Sequence, residues 1–148
     1  MTSWNIRKAT LTDADELQKC MHSAYLKYSD RININNLPPM NVDYKDEIAF
    51  FPVWVVEFNN QLIAGLVLVF EEDYASLANI AIDPGFQAKG LGKFLLNFAE
   101  QEIRNRGYSE MKLATHVLFT ENVLFYQKRG WVIVDQDETK VYMKKYLK

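Results

Sequence analysis

Residues 77–93 read Leu-Ala-Asn-Ile-Ala-Ile-Asp-Pro-Gly-Phe-Gln-Ala-Lys-Gly-Leu-Gly-Lys and hold the groupings best suited to chemistry. Leu77, Ile80 and Ile82 are apolar and β-prone, and Pro84 ends strand pairing. Leu91, Phe94, Leu95, Phe98, Ala99 and Ile103 then follow the spacing of one buried helical face. Gly107, just past Arg104 and Arg106, stands where a C-terminal cap belongs. Strand, glycine turn and helix in succession expose backbone N–H groups at the positive end of a helix, a cradle for phosphate or pyrophosphate. Two familiar phosphate turns do not fit. The P-loop spacing from Gly85 to Gly90 requires lysine where Leu91 stands, and the dinucleotide spacing from Gly90 and Gly92 requires a small residue where Leu95 stands.

A second grouping lies near the C-terminus. Asn122 and Tyr126 are four apart on a predicted helix over residues 121–129, so both project from one face, and Gly130-Trp131 ends it. His116 sits just past a strand predicted over residues 110–115.

Length and composition set the frame that positions these groups. A chain of 148 residues suits a single domain, 1–148, and buries roughly two-thirds of its unfolded surface without staples. With 49% hydrophobic and 24% charged residues it is an ordinary globular composition. A net charge of −2, with both signs interspersed, argues against nucleic acid as a partner. The single cysteine, Cys20, excludes an internal disulfide, and no cysteine cluster suggests a metal. No apolar leader is visible, and the longest apolar run, residues 62–70, is too short to span a bilayer as a helix, so the expectation is a cytoplasmic protein without membrane partners.

In chain order, residues 4–9 read as a strand. Thr12 is a candidate cap for a helix running to about Tyr28, its stripe formed by Leu17, Cys20, Met21, Ala24, Tyr25 and Tyr28. Residues 29–46, rich in Asn and Pro, read as a short helical turn or two and a loop. Residues 51–58 and 62–70 are strands joined at Asn59-Asn60-Gln61, and the second lacks alternation, so both its faces are expected to be buried. A hairpin at residues 71–74 leads into the strand before the glycine turn. Thr120 is a candidate cap for the last helix, and residues 131–135 and 140–146 close the chain as a hairpin.

A third glycine-turn pattern, Gln/Arg-x-x-Gly-x-Gly/Ala, is met in full by Gln87, Gly90 and Gly92. With the strand ending Ile82-Asp83-Pro84 and the block Asn122, Tyr126, Gly130-Trp131, the chain resembles the GNAT superfamily of acetyl-CoA-dependent N-acetyltransferases. The element order matches over essentially the whole length. That resemblance implies an α/β (α+β) fold with a mixed, mostly antiparallel sheet of about seven strands, helices on both faces, and the fourth and fifth strands splayed apart. It implies acetyl-CoA as co-substrate, no metal, and direct transfer of the acetyl group, in a ternary complex, to a primary amine of a small molecule, peptide or protein. A homodimer is compatible with it. The alternative is a catalytically silent acetyl-CoA-binding sensor or interaction module.

By the same resemblance, backbone groups of Ala81 and Ile82 pair with pantetheine, and one near Ile82 serves as oxyanion donor. Backbone N–H groups of Ala88, Lys89, Gly90, Leu91, Gly92 and Lys93 cradle the pyrophosphate, Gln87 shapes the turn, and Asn122 holds the cofactor arm. Tyr126 matches the general acid beside the leaving sulfur. At ordinary values, tyrosine near 10 and thiol near 8.5, that proton moves uphill by about 2 kcal/mol, so a hydrogen bond to the thiolate serves equally well. The base is open, because an alkylamine near 10.4 is only about 0.1% neutral at pH 7.4 and the strand before the turn carries no Glu. Candidates are His116, Glu71, Glu72, or a water chain through Asn79 or Ser76; His22 is expected on the surface. The acceptor cleft is expected to be walled by Tyr25, Tyr28, Arg31, Asp43 and Tyr44, with Asp46, Glu47 and His116. Aromatic faces with carboxylates suit a cationic amine, whereas Arg31 would suit an acceptor's carboxylate.

Overall fold

Asp13 ties the first strand to the first helix. From β1 (Asn5–Lys8), Arg7 donates to both Asp13 carboxylate oxygens at 2.8 and 2.9 Å, and the Thr10 N–H donates to the same group at 2.7 Å. This is seen in the computed structural model, which describes residues 4–87 and 89–147. A turn of 3-10 helix, Leu11–Asp13, then leads into α1 (Ala14–Tyr25). Thr12, expected as the cap, is exposed and bonds to the Thr10 hydroxyl; the Arg7 anchor gives the capping positions to Thr10 and Asp13. Leu17, Cys20, Met21 and Ala24 form the buried stripe, and a 3-10 turn (Leu26–Tyr28) prolongs the helix to Tyr28.

Residues 29–46 fold into more than a loop. Two 3-10 turns, Ile34–Asn36 and Pro38–Met40, precede α2 (Tyr44–Phe50), whose N-terminus is capped by Asp43 accepting from the Lys45 and Asp46 N–H groups. The strands β2 (Val53–Phe58) and β3 (Gln61–Phe70) meet at Asn59 and Asn60, both left-handed at φ 51° and 64°. Asparagine tolerates that region, which the tight right-twisted hairpin demands.

There follow β4 (Ala75–Ile82), α3 (Leu91–Asn105), β5 (Glu110–His116), α4 (Thr120–Gln127), β6 (Val132–Gln136) and β7 (Lys140–Tyr146). Thr120 is not a cap: α4 starts after Phe119, which is buried and stacked on Tyr28 at 3.8 Å, so packing sets this start. The seven strands run β1-β2-β3-β4-β5-β7-β6, antiparallel throughout except β4 with β5.

β3 is buried from Leu62 to Leu68 because both faces are covered. Ile63, Leu66 and Leu68 join the core that includes Leu91, Leu95, Leu96, Ala99 and Ile103 of α3, while Leu62 and Val67 join Leu17, Cys20 and Met21 of α1. The α1 contact is close. A Cβ on Gly65 would run into the Leu17 side chain, so glycine lets the helix pack close without displacing it.

The parallel pair is brief. β4 meets β5 at Ala75–Met111 and Ser76–Lys112, and the strands then part. The cause is one extra residue: Val67 faces Asn79 while Leu68 faces Leu77, which leaves Ala78 as a bulge that bends β4 away. Among the described residues, no helix is long and apolar enough to cross a membrane, and no cluster of three His, Cys, Asp or Glu could hold a metal.

Candidate functional site

Beyond Ile82 the chain turns on Asp83, whose carboxylate accepts the Gly85 N–H at 2.9 Å, and on Gln87, whose Nε2 donates to the Ile82 carbonyl at 3.0 Å. Lys27 Nζ donates to the other end of that amide at 3.2 Å. Gly90 then takes φ 85°, a conformation open to glycine, and begins α3 with no side-chain cap and no acid in the first turn. The Leu91, Gly92 and Lys93 N–H groups therefore stand at the positive end of a 15-residue helix without the usual anionic partner. The Leu91 side chain is in the core, so its contribution is backbone alone. Gly92 packs where a Cβ would lie 3.3 Å from Phe125, Lys89 is exposed outside the cavity below, and Ala88 lies outside the described residues.

This turn opens into a cavity of about 570 Å³ that runs to the gap between β4 and β5. Its cations are Lys27, Lys93 and Arg129; its acid, Glu121, is held by Arg31 at 2.6 and 2.8 Å and lies well below the usual carboxylate range, at about 2, through those bonds. Arg129 rests on the Phe125 ring at 3.7 Å and donates to the Phe125 carbonyl, and its buried Nε has no partner among the described residues. Neither Lys27 nor Arg129 stood out in the sequence; Arg129 carried one signal, its place three residues past Tyr126.

Three phenols converge near the gap. Tyr126 is 7% exposed and packs edge-on against Phe125 and Trp131. Burial pushes its hydroxyl well above the ordinary tyrosine value, reinforced by Tyr25 and Tyr28. Tyr25 donates to Asn79 Oδ1 at 3.3 Å, and Tyr28 to Asn122 Oδ1 at 3.4 Å. Asn122, Tyr126, Tyr28 and Tyr25 all line this first cavity.

On β4 the peptide groups alternate. The Asp83 N–H donates to the Ile63 carbonyl at 2.8 Å, and the antiparallel ladder therefore turns Ala81 toward its partner Gly65. The Ile80 peptide and the Ile82 N–H face the gap instead, while the Ile82 carbonyl accepts from Gln87. Ala81, expected to offer its backbone to pantetheine, is turned to β3, and Ile80 stands on the gap side in its place.

A second cavity, about 1030 Å³, lies across the gap and shares Tyr25, Leu77, Asn79 and Thr115 with the first. Tyr44, Glu47 and His116 line it as well, and Tyr44 donates to the Pro39 carbonyl at 2.6 Å. Arg31 lies outside both cavities, committed to Glu121, and Asp43 lies outside both, committed to capping α2. Asp46, Glu71 and Glu72 are exposed and also outside, whereas Ser76 lines the second cavity. His116 accepts the Leu118 N–H on Nδ1 at 3.1 Å, which ties that ring nitrogen to the loop after β5. His22 is half-buried, not on the surface, and its Nε2 is buried without a partner among the described residues.

The model described as the acetyltransferase (GNAT) family matches residues 14–131. The uncharacterised protein YxbD of Bacillus subtilis is 36% identical over 73 residues, 49% of this chain and 45% of that protein. The ribosomal protein bS18-alanine N-acetyltransferase of Salmonella typhimurium is 36% identical over 59 residues, 40% of each chain. Each alignment thus spans under half of the relative's length. The PaiA N-acetyltransferase of Thermoplasma acidophilum, solved with coenzyme A, superposes with a TM-score of 0.86 at 21% identity, covering 97% of this chain and 99% of that one, a likeness of fold.

Proposed function

The chain belongs to the acetyltransferase (GNAT) family, and from that membership we propose that its residues 1–148 form one domain that binds acetyl-CoA in the first cavity and transfers the acetyl group to a primary amine in the second. The observation that carries this reading is the meeting of the two cavities at the gap between β4 and β5, with Tyr126 beside it.

The residues fit the co-substrate. The α3 N-terminus offers the N–H groups of Leu91, Gly92 and Lys93 to pyrophosphate, continuous with Lys89 and Gly90. Lys27, Lys93 and Arg129 supply positive charge, and Asn122 supplies an amide to the cofactor arm. Ile80 and the Ile82 N–H offer strand-like partners to the pantetheine amides, and an N–H near Ile82 stabilises the oxyanion. Holding amine and thioester together accounts for much of the rate. The nitrogen attacks the thioester carbon, the C–N bond forms, the C–S bond breaks, and the thiolate leaves toward Tyr126. A phenol whose proton is held above its ordinary value is a poor acid, so Tyr126 acts by hydrogen bonding to the thiolate.

One observation favours a second reading, a catalytically silent acetyl-CoA binder: β4 (Ala75–Ile82) carries no carboxylate. Two measurements separate the readings. Acetyl-CoA at about a hundred times its dissociation constant adds about 2.7 kcal/mol, a melting shift of several degrees, and Gly90→Glu removes it by placing a negative side chain at the cradle. Release of free CoA with a panel of primary amines marks the enzyme. Binding without release favours the silent module, and no shift at millimolar acetyl-CoA overturns both.

A further inference from the structure

We propose that Glu47 holds the acceptor's ammonium group and takes the proton its nitrogen loses, and that the acceptor is a primary amine carried on an aromatic or apolar body. This rests on the acetyltransferase reading above. Helical period carries the first part of the argument. In α2 the side chains of Tyr44, Glu47 and Ile48 fall on one face, turned inward, while Asp43, Lys45 and Asp46 are exposed. Glu47 is thus the one acid of that segment that reaches the second cavity.

Charge carries the second part. Apart from four tyrosines, the charged or titratable residues lining the second cavity are Glu47, Lys112, His116 and Lys140. Glu47 is the sole acid among them and has no ion pair among the described residues. The first cavity's acid, Glu121, is consumed by Arg31. Lys112, stacked over Tyr74 at 4.1 Å, His116 and Lys140 all stand on the opposite wall, on β5 and β7. An ammonium is repelled by the two lysines of that wall and drawn to Glu47. Burial, with Asp46 beside it, also raises the proton affinity of Glu47, as suits a base.

The remaining lining sets the class of acceptor. Tyr25, Tyr44, Tyr74, Tyr142 and Phe119 supply aromatic faces, and Leu37 and Val42 supply aliphatic ones. In the step, an ammonium proton passes to the Glu47 carboxylate, directly or through one water, and the freed lone pair forms the C–N bond. The nitrogen sheds a second proton as the amide forms. Of the two protons, one ends on the CoA thiol and the other leaves to solvent from Glu47, so the carboxylate is restored.

The test uses acetyl-CoA with 2-phenylethylamine, and 2-phenylethanol as the uncharged control. Wild-type protein is expected to be stabilised thermally by the amine and not by the alcohol, and to acetylate the amine. Glu47→Gln is expected to lose that stabilisation and at least 30-fold in kcat/KM for the amine, with acetyl-CoA affinity within twofold; Glu47→Asp is expected to recover part of the rate. An unchanged kcat/KM in folded Glu47→Gln overturns the assignment, and so does a parallel loss of acetyl-CoA binding. Wild-type protein that binds acetyl-CoA but neither binds nor acetylates 2-phenylethylamine overturns the acceptor class. Failure of wild-type protein to bind acetyl-CoA overturns the parent reading, and this assignment with it.

Discussion

Gln87 closes the mouth of the glycine turn by donating its side-chain N–H to the carbonyl of Ile82, 3.0 Å away. A donor is the requirement at this position. Gln87→Arg is therefore expected to keep acetyl-CoA affinity within about threefold. Gln87→Glu loses the donor and adds a negative charge beside the cradle, so its dissociation constant is expected to rise by at least about tenfold. Titration calorimetry on both variants checks the pair.

Tyr126→Phe removes one hydroxyl and little volume from a buried site. Turnover is expected to fall by about 10- to 100-fold with acetyl-CoA affinity unchanged, because the hydroxyl is needed only once the thiolate develops. The raised value of Tyr126 also sets a sign: the phenol keeps its proton as pH rises, so no alkaline loss of turnover from this group is expected below about pH 10. Single-turnover rates against pH test this.

Gly65→Ala drives a methyl into the buried Leu17 side chain, which must shift within the packing of α1 on β3. Overpacking of this kind costs about 1–3 kcal/mol. Because α1 also carries Tyr25 to both cavities, activity is expected to drop along with the melting temperature. A compensating Leu17→Ala is expected to restore part of each.

Asp13 is held at about 2 by its bonds to Arg7, against the usual carboxylate value near 4. A depressed value stabilises the fold above the unfolded-state value, and the benefit drains away as pH falls from about 4 to about 2. Allowing for the part-exposed Arg7, about 1–2 kcal/mol is at stake. Asp13→Asn is expected to lower the melting temperature at pH 7 and to flatten that part of the stability profile, as denaturant melts across pH will show.

The alternating and helical periods in the sequence made the sheet and three of the helices readable, because each rests on side chains that must be buried. The doubly buried β3 was visible in its unbroken apolar run, and the Gly90 turn in its spacing. What escaped depends on contacts across the chain. Thr12 looked like a cap until Arg7 claimed Asp13, and Arg31 looked like an acceptor ligand until Glu121 claimed it. Asp43 and Glu47 are equally acidic in sequence, and the capping demand of α2 separates them. The Ala78 bulge leaves no mark in composition, since it exists only in the register of β4 against β3.

That bulge has a further consequence. An ordinary open sheet has two rims, and this one has an inner pair as well, where β4 and β5 part after Ser76, the β4 rim being one of the two. Rims are sticky, because their amides seek a partner. The rim here is regular: the Ala81 and Asp83 amides point back into the ladder with β3, while those of Ile80 and Ile82 look outward. Hydrogen–deuterium exchange along this one strand should accordingly alternate residue by residue in the free protein, slow at Ala81 and Asp83 and fast at Ile80 and Ile82. An extended amide-bearing chain seated in the gap would erase the alternation.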